Sequence, residues 1–244
     1  MTKLITLLTL ILLISVGINN GYSQNSFGLE FGHNWTAISG RSYDFDSISV
    51  VPDIGADAGE GFGGIFYEYE VSKGFSLHNK LNYGQRFVSY DVYNKDKVCQ
   101  FCPVPKNELV AIASFAFEIL PQFTIIESSN LKLNLFAGVN TTFNLIHTDL
   151  ITKIPDQKGV TSVMNSLQNV VNPVTLSFAY GASIEIWRVI LWSKVNPISP
   201  FAKSVKINDK EYDFDNSWGF VSFSIGYKFY SLKRKSKRQE TGSL

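Results

Sequence analysis

Long apolar runs, cysteine and histidine are what this sequence has little of. After residue 18 nothing approaches the roughly 20 consecutive apolar residues that a transmembrane helix needs, so a helical membrane protein is excluded. The three histidines, His33, His78 and His147, are far apart in the chain. No His-Glu-x-x-His, Gly-x-Ser-x-Gly, phosphate loop or Gly-x-Gly-x-x-Gly occurs, so the sequence offers no metal-hydrolase, serine-hydrolase or nucleotide signature. Neither charge sign dominates: the formal net charge is +1, which gives no reason to expect a nucleic-acid partner.

What is present begins with a leader. Lys3 precedes an apolar run from Leu4 to Ile18, and Gly21 and Ser23 stand at positions −3 and −1 of a cut before Gln24. The run is too short to span a membrane as a mature helix, so residues 1–23 read as a cleaved signal peptide, with a buried N-terminal helix as the competing reading. The other end carries Lys233, Arg234, Lys235, Lys237 and Arg238 against Glu240. Residues 231–244 therefore read as a basic periplasmic tail, a solvated extension or a contact for an anionic partner. Setting aside the leader's single positive charge and the tail's net four leaves about −4 on the segment between.

Export gives the two cysteines a meaning. Cys99 and Cys102 lie in Cys-Gln-Phe-Cys-Pro, and in an oxidising compartment they read as a short local disulfide stapling a loop. A redox pair would want a helix N-terminus, which Pro103 and Pro105 disfavour, and a zinc site would want two further ligands nearby.

Residues 24–230 show a sustained two-residue alternation. In 75–91, Phe75, Leu77, Leu81, Tyr83 and Phe87 alternate with Ser76, His78, Lys80, Asn82, Gly84 and Arg86. Comparable patterns place strands at 26–37, 58–71, 75–91, 108–126, 131–147, 174–187, 197–207 and 217–230, the seventh weakened by Pro197 and Pro200. Connections run long at 38–57, 92–107 and 148–173, short at 72–74 and 127–130, and moderate at 188–196 and 208–216. The expected fold is all-β: a closed, antiparallel, up-and-down transmembrane β-barrel of eight strands, with its long loops outward and its short turns facing the periplasm.

The polar phase carries both charge signs: Glu30, Glu68, Glu70, Glu118 and Glu185 with Lys80, Arg86, Lys132 and Lys228. An eight-stranded barrel has an interior just wide enough for side chains, so these groups are expected to fill the lumen as a compensated network. A secreted soluble ligand-binding barrel would instead turn the apolar phase inward. Aromatics are expected in two interfacial belts, Trp35, Tyr90, Tyr93 and Trp218 near the long loops and Tyr69, Trp187, Trp192, Tyr227 and Tyr230 near the short turns.

Several stretches carry a family pattern: Gly21-Tyr22-Ser23-Gln24, Phe27-Gly28-Leu29-Glu30-Phe31-Gly32, Phe136-Ala137-Gly138-Val139-Asn140, Tyr180-Gly181-Ala182 and Ser224-Ile225-Gly226-Tyr227-Lys228-Phe229. In these the chain resembles the outer-membrane β-barrel domain family common in Bacteroidetes, which includes PorT-like proteins. The resemblance covers the mature chain and implies a fold and a compartment, with no shared activity; the basic tail departs from it.

The expected function is a small non-enzymatic outer-membrane barrel displaying extracellular loops for binding or for a secretion or surface assembly. Its expected partners are the lipid bilayer and lipopolysaccharide, the barrel-assembly machinery during insertion, and a surface or secretion partner; no cofactor and no metal are called for. The alternative is a membrane-embedded lipid-modifying enzyme. His147, Thr148 and Asp149 lie at a strand end where such a site could form, but no nucleophile stands beside the histidine. A last feature is an internal echo: Tyr43-Asp44-Phe45-Asp46 and Tyr212-Asp213-Phe214-Asp215. If the first and last strands pair, these segments become neighbours at the outer rim, where Tyr43, Asp44, Asp46, Tyr212, Asp213 and Asp215 could form an acidic, aromatic patch for Ca²⁺, a sugar or a cationic partner. The bland reading is two hairpin tips with alternating faces.

Overall fold

The computed structural model describes residues 25–39, 42–52, 60–95, 108–147, 163, 166–167, 170–207 and 209–232. Among them ten strands form: β1 (Asn25–Ser39), β2 (Tyr43–Phe45), β3 (Ile48–Pro52), β4 (Glu60–Ser72), β5 (Phe75–Asn94), β6 (Glu108–Glu127), β7 (Leu131–His147), β8 (Val174–Ile186), β9 (Val189–Ile207) and β10 (Lys210–Leu232). Eight of them close a ring in the order β1-β4-β5-β6-β7-β8-β9-β10, and β10 pairs back onto β1 from Asn25↔Leu232 to Ser39↔Ser217. Every pairing is antiparallel. The β2–β3 hairpin stands above β4: β3 pairs with 90–94 of β5, continuing the wall where β4 has ended.

The turns account for two departures from the expected strand bounds. Residues 188–196 are not a connection. Trp187 and Arg188 make a tight turn, with Trp187 at φ 55°, and β9 starts at once with Val189 opposite Ile186. Likewise 208–216 is mostly strand, because β9 and β10 run on as a hairpin that reverses beside Asp209, itself at φ 66°. β10 also extends to Leu232, two residues into the expected tail. Short turns at Lys73-Gly74, Ser128-Ser129-Asn130 and Trp187-Arg188 share one end of the ring, where β1 begins and β10 ends. The signal peptide, Cys99, Cys102 and the residues beyond 232 lie outside the described residues.

Side-chain polarity is inverted through most of the ring. Phe31, Phe115, Phe123, Leu135, Phe178, Phe223 and Ile225 face out and are exposed, whereas Glu30, His78, Lys80, Asn82, Glu118, Asn134 and Asn140 are buried inside. Small inward residues make room for the larger ones: a Cβ on Gly226 would lie 2.4 Å from the Trp192 ring. Water-exposed apolar area on this scale is not found on soluble monomers, so the soluble-barrel alternative fails. On β10 the outward apolar run over 221–229 covers roughly 27 Å of strand, or about 21 Å at the tilt usual for such barrels. That is close to the height of a bilayer's hydrocarbon band.

Candidate functional site

The lumen is assembled from single inward residues of each strand. Lys80 on β5 reaches across β4 to Glu30 on β1, its Nζ 3.0 Å from both carboxylate oxygens, and Ser224 Oγ on β10 donates to Glu30 Oε1 at 2.5 Å. The same ammonium sits 3.7 Å from the centroid of Trp192 on β9. Lys194 on β9 pairs with Glu118 on β6, three strands away around the ring. Toward the long-connection end, Arg86 lies over Phe220 and Trp218, at 4.4 and 5.0 Å from the ring centroids. Its charge is opposed by Glu60 and Glu118.

Toward the short turns a second group forms. Lys228 bridges Glu68 and Glu185 at 2.5 and 2.7 Å, Ser26 Oγ donates to Glu68, and His78 Nε2 lies 3.3 Å from the same carboxylate. Phe66 stacks on His78. Lys132 is half-buried at the very end and pairs with Glu127 at 3.0 Å, with Glu70 and Glu185 among its charged neighbours. On the long-connection side of the Glu30–Lys80 pair, beside Arg86, Asn82 and Glu118, is a cavity of about 20 Å³. That is room for about one water molecule.

All nine charges expected in the lumen therefore line it or its lower rim. His78 follows from the polar phase of 75–91, and three further members, Glu60, Trp192 and Lys194, are additions to the expected set. Trp192 and Lys194 lie in the stretch taken for a connection, yet continuing the alternation through Ile190, Trp192, Lys194 and Asn196 would have found them. The aromatic belts need a matching correction. Trp35, Trp187 and Tyr227 are exposed at the two ends, but Tyr90, Trp192 and Trp218 are buried inside the ring.

Beyond the inverted part, the long-connection end has a core of ordinary polarity. Tyr43, Phe45, Tyr90, Phe214 and Trp218 pack together, sealed by Val163, Leu167 and Val171 of the segment before β8. The two Tyr-Asp-Phe-Asp segments meet here through their rings. Tyr43 and Phe214 centroids are 4.6 Å apart and Phe45 and Tyr212 are 5.1 Å apart, while Tyr43 OH donates to the Asp215 carbonyl at 2.6 Å. The carboxylates face outward and are spread out. Asp44 pairs with Lys95 at 2.6 Å, Asp46 accepts from Tyr212 OH at 3.3 Å, and Asp213 and Asp215 are exposed. The Lys95 hydrogen bond, with Ser49 second, holds the Asp44 carboxyl below the usual aspartate range. Among the described residues no three acidic, histidine or cysteine side chains are grouped as a metal site would require. His147 ends β7, and Thr148 and Asp149 lie outside the described residues.

An even ring with short turns at one end, long connections at the other and an apolar band around a polar lumen defines one class of protein. It is an outer-membrane β-barrel.

No family model and no curated protein matches the sequence. Among solved structures the chain is similar to Ail, the attachment invasion locus protein of Yersinia pestis, solved with the heparin analogue sucrose octasulfate. Identity there is 12%, covering 86% of this chain and 100% of that chain, with a TM-score of 0.40. The outer membrane protein OprG of Pseudomonas aeruginosa shares 10% identity over 87% of this chain and 98% of that chain, with a TM-score of 0.47. Outer membrane protein AlkL in DMPC bilayers shares 13% identity over 93% and 96%, with a TM-score of 0.44.

Proposed function

We propose that the protein is a closed, non-enzymatic scaffold barrel of the PorT-like kind, which holds a structured extracellular extension in place for binding or for a secretion or surface assembly. The observation that carries this reading is the filled lumen. The Glu30–Lys80 and Glu118–Lys194 pairs lie in it, the side chains of both pairs are at most 6% exposed, and the cavity beside Arg86 is about 20 Å³. A hydrated ion does not fit such a passage. Among the described residues, the part that meets the outside is instead the aromatic-cored extension made by β2, β3 and the β9–β10 hairpin. Lipopolysaccharide and the bilayer contact the apolar band, and the barrel-assembly machinery handles insertion.

Reconstitution in planar bilayers tests the closed lumen: poor conductance is expected, and a large, steady porin-like current would overturn it. Fractionation of the native envelope, with co-purification of whatever stays bound, tests the scaffold role. Comparing lipid A composition with and without the protein tests the non-enzymatic part, with no change expected.

A further inference from the structure

The ring has one place where two neighbouring strands part. The β8–β9 ladder runs from Ile186↔Val189 to Tyr180↔Val195 and stops, although β8 begins six residues earlier and β9 continues to Ile207. The alternation of an antiparallel ladder explains the stop. Tyr180 and Val195 form the last pair, and the next bond would need an N–H from residue 197, which is Pro197. The Asn196 side chain takes over, its Nδ2 donating to the Phe178 carbonyl at 3.0 Å.

Two observations fix which backbone groups face the gap. The Phe178 carbonyl points toward β9, as the Asn196 bond shows, and the Pro173 carbonyl points toward β7, where it accepts from Asn144 N at 2.8 Å. Even-numbered residues of β8 therefore direct N–H and C=O toward β9, and odd-numbered residues toward β7. Val174 and Leu176 so present two donors and two acceptors to the gap, beyond the end of the β8–β9 ladder. Asn196 Oδ1, on the inner side of the wall, has no hydrogen-bond partner among the described residues. The flanking side chains are apolar and well exposed, Leu176 at 69%, Phe178 at 73% and Ile198 at 60%. They continue the lipid-facing band at its outer edge, where Phe178 lies beside Val139 of β7.

An open strand edge against lipid leaves its amides and carbonyls unsatisfied. An acyl chain cannot satisfy them. Of the residues before β8, Val163, Leu167 and Val171 are turned into the core. Alternating donors and acceptors along an edge are matched by an extended polypeptide. We propose that the β8 edge over 174–178 docks an extended, apolar-faced segment of a partner polypeptide, held by main-chain hydrogen bonds in the outer leaflet. This deepens the scaffold reading and rests on it.

The test places a benzophenone amino acid at Phe178 in the full-length protein in intact cells and combines it with changes at Leu176. Light should give an adduct with another protein, retained in Leu176→Ala, because the side chain is not what binds. Leu176→Pro removes the gap-facing N–H at an edge position that tolerates proline, so the adduct should fall about five- to tenfold. Unchanged heat-modifiable gel mobility reports an intact barrel; if Leu176→Pro fails to fold, Val174→Pro removes the other gap-facing N–H and carries the same test. An adduct insensitive to both prolines overturns the proposal. So does cross-linking only to lipid, to residues 148–162 of the same chain, or to a second copy. Any of those results, with a partner still co-purifying from the envelope, sinks the docking edge and spares the scaffold. Loss of every co-purifying partner sinks both.

Discussion

The two halves of β10 obey the same alternation with opposite polarity. In its lower half the inward residues are Ser222, Ser224 and Lys228, and Val221, Phe223 and Ile225 are exposed outside. In its upper half the inward residues are Tyr212, Phe214, Trp218 and Phe220, and Glu211, Asp213 and Asp215 are exposed. The even-numbered phase never leaves the inside; the chemistry on it changes between Phe220 and Ser222. β5 repeats the change, from His78, Lys80, Asn82 and Arg86 to Tyr90 and Val92. A strand carries two faces but not a rule for which is apolar. The surrounding solvent sets that rule, lipid below and water above, and the level of the switch marks the outer membrane boundary.

The sharpest way to break this comparison is to unbalance the polar half. Lys80 and Glu30 are each 1% exposed, so Lys80→Met would leave a buried carboxylate with the Ser224 hydroxyl beside it and Lys194 as its remaining cationic neighbour. The expected loss is about 3–5 kcal/mol, read by urea unfolding of the barrel in lipid vesicles. Glu30→Gln combined with Lys80→Met should recover most of it, since an uncharged pair leaves no buried charge. Equal losses in single and double variants would mean that the pair is not what fills the lumen.

The outward face gives the next largest contrast. Ile225→Arg, at the middle of the lipid-facing run, should cost about 2–4 kcal/mol near the midplane. Asp213→Arg, on the same face of the same strand higher up, should stay within about 0.5 kcal/mol. Comparable costs at both positions would place 213 in lipid too and erase the boundary.

The ring itself was legible because a two-residue period survives a reversal of polarity: the strand signal is the alternation, not the apolar side. The same fact explains what was misread. At 188–196, Trp187 in a left-handed turn and two nearby prolines resemble loop chemistry, although Ile190, Trp192, Lys194 and Asn196 keep the inward phase. The stretch 208–216 reads as polar because its outward face meets water, while Tyr212 and Phe214 are packed inside. Aromatic residues near strand ends serve equally as interfacial anchors or lumen filling, and only the phase separates Trp187 from Trp192. The two Tyr-Asp-Phe-Asp segments were visible as an echo. Which half of each faced its counterpart depended on the side of the boundary they occupied, which no local pattern records.

The smallest expected effect lies among the exposed charges, and it separates the halves by pH. Asp44 and Lys95 are 60% and 41% exposed, in contrast to the enclosed Glu30–Lys80 pair. The Lys95 hydrogen bond, then the one from Ser49, lowers the Asp44 pKa in the folded chain. A carboxyl whose folded pKa lies below its unfolded value contributes stability fully above the unfolded value, about 3.9 for aspartate. That contribution fades as pH falls through the folded value, so its window lies in acid, below about pH 4. Being solvated, it should be slight and screened by salt. An NMR titration of the Asp44 carboxyl should find a midpoint below that of a free aspartate. Lys95→Gln should raise it, and Ser49→Ala should raise it less. A midpoint that ignores Lys95 would remove this ion pair from what holds the β2–β3 hairpin, leaving its ladder to β5, the Tyr43 hydroxyl bond and its rings against Tyr212 and Phe214 to account for the water-facing half.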